Sequence, residues 1–130
     1  MKISGKFEAK LNPLEGYAQG VDGVHLGRMS IDKTYHGELD AKSQGEMLSA
    51  MTTTQGSAGY VAIEQVSGTL RGKKGSFVLQ HFGTIDKGSD RLILKVIPDS
   101  ASDELAGLTG SMEVRDEEGQ HFYDFDFSLA

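Results

Sequence analysis

The sequence predicts an all-β protein: a single antiparallel eight-stranded β-barrel with little or no helix, spanning residues 1–130 as one domain. Three observations predict it. Apolar and polar residues alternate with period two through most of the chain, while the i, i+3, i+4 spacing of amphipathic helices is weak. The chain holds 17 glycines against 2 prolines, spread rather than clustered, which supplies tight turns between the alternating runs. Eight such runs can be counted, and eight antiparallel strands can close on themselves and remove their exposed edges.

The runs follow in order. The first covers residues 2–11, with Ile3, Phe7, Ala9 and Leu11 on one face. An irregular stretch, NPLEGYAQGVDG, separates it from the second, near 24–36, where Met29, Ile31 and Tyr35 share a side. The third is placed near 46–54, the fourth near 59–71 and the fifth near 75–83. The sixth, 91–97, stops at Pro98, which has no N–H to give a ladder. The seventh spans about 104–115 and the eighth about 120–129, with Tyr123, Phe125, Phe127 and Leu129 alternating against Phe122, Asp124, Asp126 and Ser128. Asp116, Glu117, Glu118 and Gly119 read as a solvated hairpin turn, and Asp124 and Asp126 as water-facing. PDSASDELAG has some helical character, with Ser100 or Ser102 available to cap a single turn. A weak internal echo, Leu70-x-Gly72-x-x-Gly75-x-Phe77 against Leu105-x-Gly107-x-x-Gly110-x-Met112, reads as repeated hairpin corners.

The stretch 59–83 organises the interior. With Lys73 and Lys74 as a two-residue loop, Leu70 faces Phe77 and Val66 faces His81. One face then carries Tyr60, Ala62, Glu64, Val66, Leu70, Phe77, Leu79 and His81, and its large apolar groups make it the inner one. Glu64 and His81 become diagonal neighbours inside the barrel, within reach of one another. Lys33 joins them, sharing parity with Met29, Ile31 and Tyr35. A buried carboxylate requires a partner or a proton, so this trio is where interior chemistry is expected. Met29, Met47, Met51 and Met112 also fall inward as pliable filling or pocket lining. Val61, Ile63, Val78, Phe82, Ile93 and Ile97 fall outward, an apolar strip that suggests contact between copies of the chain.

Composition excludes several functions. A formal net charge of −6 gives no basic face for phosphates, so no nucleic-acid partner is expected. Without cysteine there are no disulfides, thiolate metal sites or cysteine nucleophiles, which fits a reducing compartment. The densest apolar run, 92–97, is too short to span a bilayer, and the N-terminus lacks a signal-peptide core, so the expected location is cytoplasmic. His25, His36, His81 and His121 are dispersed, with no pair at metal-ligand spacing, so neither metal nor cofactor is expected. Gly72-Lys73 is no phosphate loop, because Lys74 stands in the Ser/Thr position and a strand follows.

Residues Gly59-Tyr60-Val61-Ala62, Glu64, Gly68-Thr69-Leu70, Gly72, Gly75-Ser76-Phe77 and Gln80-His81 resemble a bacterial family known as domain of unknown function 3224. The resemblance continues through Glu104-Leu105-Ala106-Gly107-Leu108-Thr109-Gly110 and the terminal Tyr123, Phe125 and Leu129. It departs after the proline, where Pro98-Asp99-Ser100-Ala101-Ser102 replaces the Gly-Ser-Gly-Thr run of the family. The resemblance implies a barrel like that of allene oxide cyclase and, by analogy, oligomers; it implies no activity.

Three functional readings follow. In the leading one the barrel binds a small, largely apolar or lipid-like molecule, with Lys33, Tyr35, Tyr60, Glu64, His81, Phe77, Met51 and Tyr123 as candidate ligand-binding residues. In the second, an isomerase or cyclase uses Glu64, with His81 as the other catalytic candidate, for general acid–base work. In the third the barrel is solid and its outer wall is the working surface of a homo-oligomer.

Overall fold

The computed structural model describes residues 1–129. They form eight strands: β1 (Lys2–Leu14), β2 (His25–Tyr35), β3 (Leu39–Met51), β4 (Ala58–Leu70), β5 (Lys73–Asp86), β6 (Ser89–Val96), β7 (Thr109–Glu117) and β8 (Gln120–Ser128). Each pairs antiparallel with its sequence neighbour, and β1 closes on β8, so the expected closed barrel stands. A 3₁₀ turn, Asp103–Leu105, is the one helical element among the described residues.

Several boundaries differ from the sequence reading. β3 begins at Leu39 rather than 46, because pairing with β2 runs from Tyr35↔Ala41 to His25↔Met51 and carries polar residues such as Lys42 and Gln44 outward. β7 begins at Thr109, after the 3₁₀ turn, so Leu105-x-Gly107 is not a hairpin corner; Leu105 and Leu108 are instead buried. The central hairpin turns at Arg71-Gly72, not at Lys73-Lys74, and pairs Leu70↔Lys73, Val66↔Phe77 and Ala62↔His81. Arg71 and Gly72 have φ of 50° and 80°, the two positive values that a tight two-residue hairpin turn demands. Lys87-Gly88 and Glu118-Gly119 repeat the device at φ 50°/91° and 53°/78°. The turn thus sits two residues earlier than expected, and every cross-strand partner is displaced by four. An even offset keeps every side chain on its face.

The barrel is packed at one end and open at the other. At the packed end Phe77 stacks on Phe125 with centroids 5.8 Å apart, and Phe125 on Phe127 at 5.2 Å. Burying each such ring is worth about 1.5–3 kcal/mol. Segment 97–105 closes this end by running beside β5: Ser102 N–H donates to Ser76 O at 2.9 Å, and Val78 N–H donates to the Ser100 hydroxyl at 3.0 Å. Ser102 therefore spends its hydroxyl on Ser76 rather than on capping the 3₁₀ turn. Arg115 holds Asp124 at 2.8 Å on the outside, while Asp126 faces water.

The other end is loosely joined. β6 pairs with β7 only through Leu94↔Met112 and Lys95↔Ser111, and β1 pairs with β8 only through Lys2–Phe7. The upper halves of β2–β6 stand beyond this closure and make the wall of a mouth. No helix among the described residues is long and apolar enough to cross a membrane.

A buried carboxylate beneath an apolar mouth

Glu64 stands at the level where packed core gives way to mouth. Its pair partner across β3 is Gly45 and across β5 is Leu79; His81 and Ser43 sit diagonally on those same strands, and Lys33 and Tyr35 arrive from β2. The last four converge on the Glu64 carboxylate. Lys33 Nζ donates to Oε1 at 3.1 Å and His81 Nε2 to the same oxygen at 2.8 Å. The Tyr35 hydroxyl donates to Oε2 at 2.5 Å and the Ser43 hydroxyl at 2.6 Å. Glu64 and Tyr35 are 0% exposed and His81 4%.

Burial alone pushes the Glu64 carboxyl up, but the His81 hydrogen bond, the Lys33 charge and the Ser43 and Tyr35 hydroxyls outweigh it and hold it down at about 2. The Tyr35 phenol is pushed well up by its own burial and then by the charge of Glu64. Glu64 and Lys33 cancel in charge, so a neutral imidazole leaves the cluster with no net charge, as a buried site requires. Every buried side-chain nitrogen and oxygen among the described residues has a partner. The cluster is complete in itself.

One connection leaves it. The Tyr60 hydroxyl lies 3.2 Å from His81 Nδ1. His81 Nε2 faces a carboxylate and so is assigned the proton; in the neutral ring that balances the cluster, Nδ1 then accepts from Tyr60. Burial first, and the Glu64 charge second, push the Tyr60 phenol up to about 12, so it keeps its proton. The Tyr60 ring lies across Gly83 on β5, where an added Cβ would come within 2.4 Å of Cε1; the missing side chain gives the ring its seat.

Above Tyr60 lies a cavity of about 280 Å³ lined by Met47, Met51, Ala58, Tyr60, Ile85 and Leu92, with Ser49, Thr84, Asp90 and Arg91 as polar members. A larger groove, about 670 Å³, crosses β1–β4, lined by outward Glu8, Lys10, Asp32, Lys42 and Gln65 and reached by Lys33 and Ser43 of the cluster. That groove is a polar, solvated surface. The mouth is the candidate site because there an apolar concavity adjoins the buried polar chain.

The structure thus brings Lys33, Tyr35, Glu64 and His81 into one cluster and sets Tyr60 between it and the cavity. Met51 is at the rim and 57% exposed. Phe77 and Tyr123 lie in the packed end, where the Tyr123 hydroxyl donates to His36 O at 2.9 Å and its ring meets Tyr35 edge-on at 5.6 Å. Sequence reasoning does not place Ser43, because it starts the third strand too late; parity with Leu39 and Ala41 carries that signal. Leu92 and Asp90 are likewise legible only as inward partners of Leu94 on β6.

The sequence profile of a family described as "Protein of unknown function (DUF3224)" matches residues 3–127. A crystal structure of a protein with unknown function from that family, from Shewanella oneidensis MR-1, is 60% identical and superposes with a TM-score of 0.98. That match covers 100% of this chain and 97% of the other. No curated protein matches the chain. A profile match over nearly the whole length and a near-identical barrel agree, and the chain belongs to the DUF3224 family.

Proposed function

We propose that the protein is a binding module for a small, largely apolar molecule, held in the mouth of the barrel. The observation that carries this reading is the cavity of about 280 Å³ whose apolar wall stands directly over Tyr60 and, through it, the buried Glu64 cluster. An apolar concavity with a few convergent polar groups is the usual form of a small-molecule site. Acid–base catalysis by Glu64 itself has less support: the carboxylate is fully buried, ionised, and engaged by four donors. Native mass spectrometry of the full chain against a panel of small apolar compounds tests the reading. Ala58→Trp, which fills the cavity, abolishes binding if the ligand sits in the mouth. Undiminished binding to that variant overturns it.

A second reading has its own observation. Leu48, Val61, Phe82 and Ile93 are consecutive cross-strand partners on β3–β6, and all four are exposed on the outer face. In the adjacent row Glu46 stands at the β3 end and Lys95 at the β6 end. A second copy related by a two-fold axis parallel to the strands sets its β3 over β6, so the apolar rows meet and Glu46 faces Lys95 at both ends. We therefore propose this wall as a contact between two copies. Sedimentation at tens of micromolar is expected to show a dimer that Phe82→Glu dissociates; a wild-type monomer refutes it.

A further inference from the structure

The hydrogen bonds beneath the mouth all point one way. With the imidazole neutral, the state in which Lys33, Glu64 and His81 carry no net charge together, His81 Nε2–H donates to Glu64, Nδ1 is an acceptor, and the single phenolic proton of Tyr60 is spent on it. What Tyr60 has left for the cavity is oxygen lone pairs. Asp90, at the rim with the inward parity of Leu92 and Leu94, also only accepts while ionised. Ser49 can do either. Arg91 and its cross-strand partner Thr84 reach the rim but have the outward parity of Ile93 and Phe82. The deep end of the cavity therefore presents an acceptor; the Glu64 charge beneath it is balanced by Lys33, and at the rim Asp90 stands beside Arg91.

Resting on the mouth-binding reading, we infer that the cavity selects molecules that bring a hydrogen-bond donor on an apolar body, alcohols or phenols, over carbonyl and carboxylate analogues of the same skeleton. A ligand hydroxyl donating to Tyr60 extends a chain, ligand to Tyr60 to His81 to Glu64, in which each donor is polarised by the next and the series ends on a fixed charge. A ligand carbonyl meets the Tyr60 oxygen lone pair to lone pair, or must take the phenolic proton from His81 Nδ1 and leave that nitrogen unpaired in a buried site.

The chain has no tryptophan, so naphthalene fluorescence reports on the ligand without interference from that source. Titration of the full-length protein at pH 7.5 with 2-naphthol, 2-naphthaldehyde, 2-naphthoate and naphthalene compares four molecules of one skeleton. The hydroxyl compound is expected to bind roughly tenfold more tightly than the other three, the worth of one well-placed hydrogen bond. Tyr60→Phe, which keeps the ring and removes the oxygen, is expected to bring the four within about twofold of one another. Aldehyde, carboxylate or naphthalene binding as tightly as naphthol to the wild-type protein overturns the donor preference while leaving the mouth as a binding site. Failure of all four to bind counts instead against the mouth-binding reading itself. The wild-type comparison decides the matter even where Tyr60→Phe does not fold.

Discussion

Replacing Glu64 by Gln asks how much of the fold rests on one buried charge. The amide keeps the shape of the carboxylate but loses its charge, and its NH₂ must face groups that are themselves donors. Lys33, Tyr35, Ser43 and His81 all give hydrogen bonds to the native side chain, and the Lys33 ammonium would remain without its counterion. Breaking a buried pair from one side costs about 3–5 kcal/mol. The pH dependence supplies a second magnitude. The folded carboxyl lies at about 2 against an ordinary 4.5. At 1.36 kcal/mol per pH unit that is about 3 kcal/mol of stability at neutral pH. The folded value is the lower one, so this contribution is fully present above pH 4.5 and is lost as the pH falls toward 2. Urea unfolding of wild type and Glu64→Gln at pH 7 and pH 3, followed by far-ultraviolet circular dichroism, measures both effects. The variant is expected to be less stable by about 3–5 kcal/mol at pH 7, with the gap closing by about 2 kcal/mol at pH 3. A gap below about 1 kcal/mol at pH 7, or one that does not change with pH, refutes the reading of Glu64 as an ionised anchor.

Tyr35→Phe removes one hydrogen bond to that charge and is expected to cost about 1.5–3 kcal/mol in the same unfolding assay, with the Glu64 titration moved upward in carbon-detected NMR. Phe77→Ala empties the packed end and should cost about 3–5 kcal/mol without altering ligand binding at the mouth. Gly83→Ala drives a Cβ into the Tyr60 ring; the ring must swing away from His81, so the naphthol preference is expected to collapse even in a folded variant.

What the sequence by itself determined is which face each residue takes. Alternation with period two assigns parity, and parity survives a misplaced turn: the central turn moves by two residues and each pairing by four, yet Glu64, His81 and Lys33 still point inward and Val61 and Phe82 outward. Their convergence followed from parity and strand adjacency alone. The third strand shows the limit. Its first half carries Asp40, Lys42 and Gln44 against small residues, so its pattern is faint until β2 and β4 pair with it, and Ser43 stays out of sight. How far the barrel fills was decided by tertiary structure. Whether β6 meets β7 along its length or only at two positions depends on strand twist and on where segment 97–105 docks against β5, and neither is written in the local pattern. That closure packs one end solid and leaves the other as a mouth. It is also what places Tyr60 between an apolar cavity and a carboxylate that solvent does not reach.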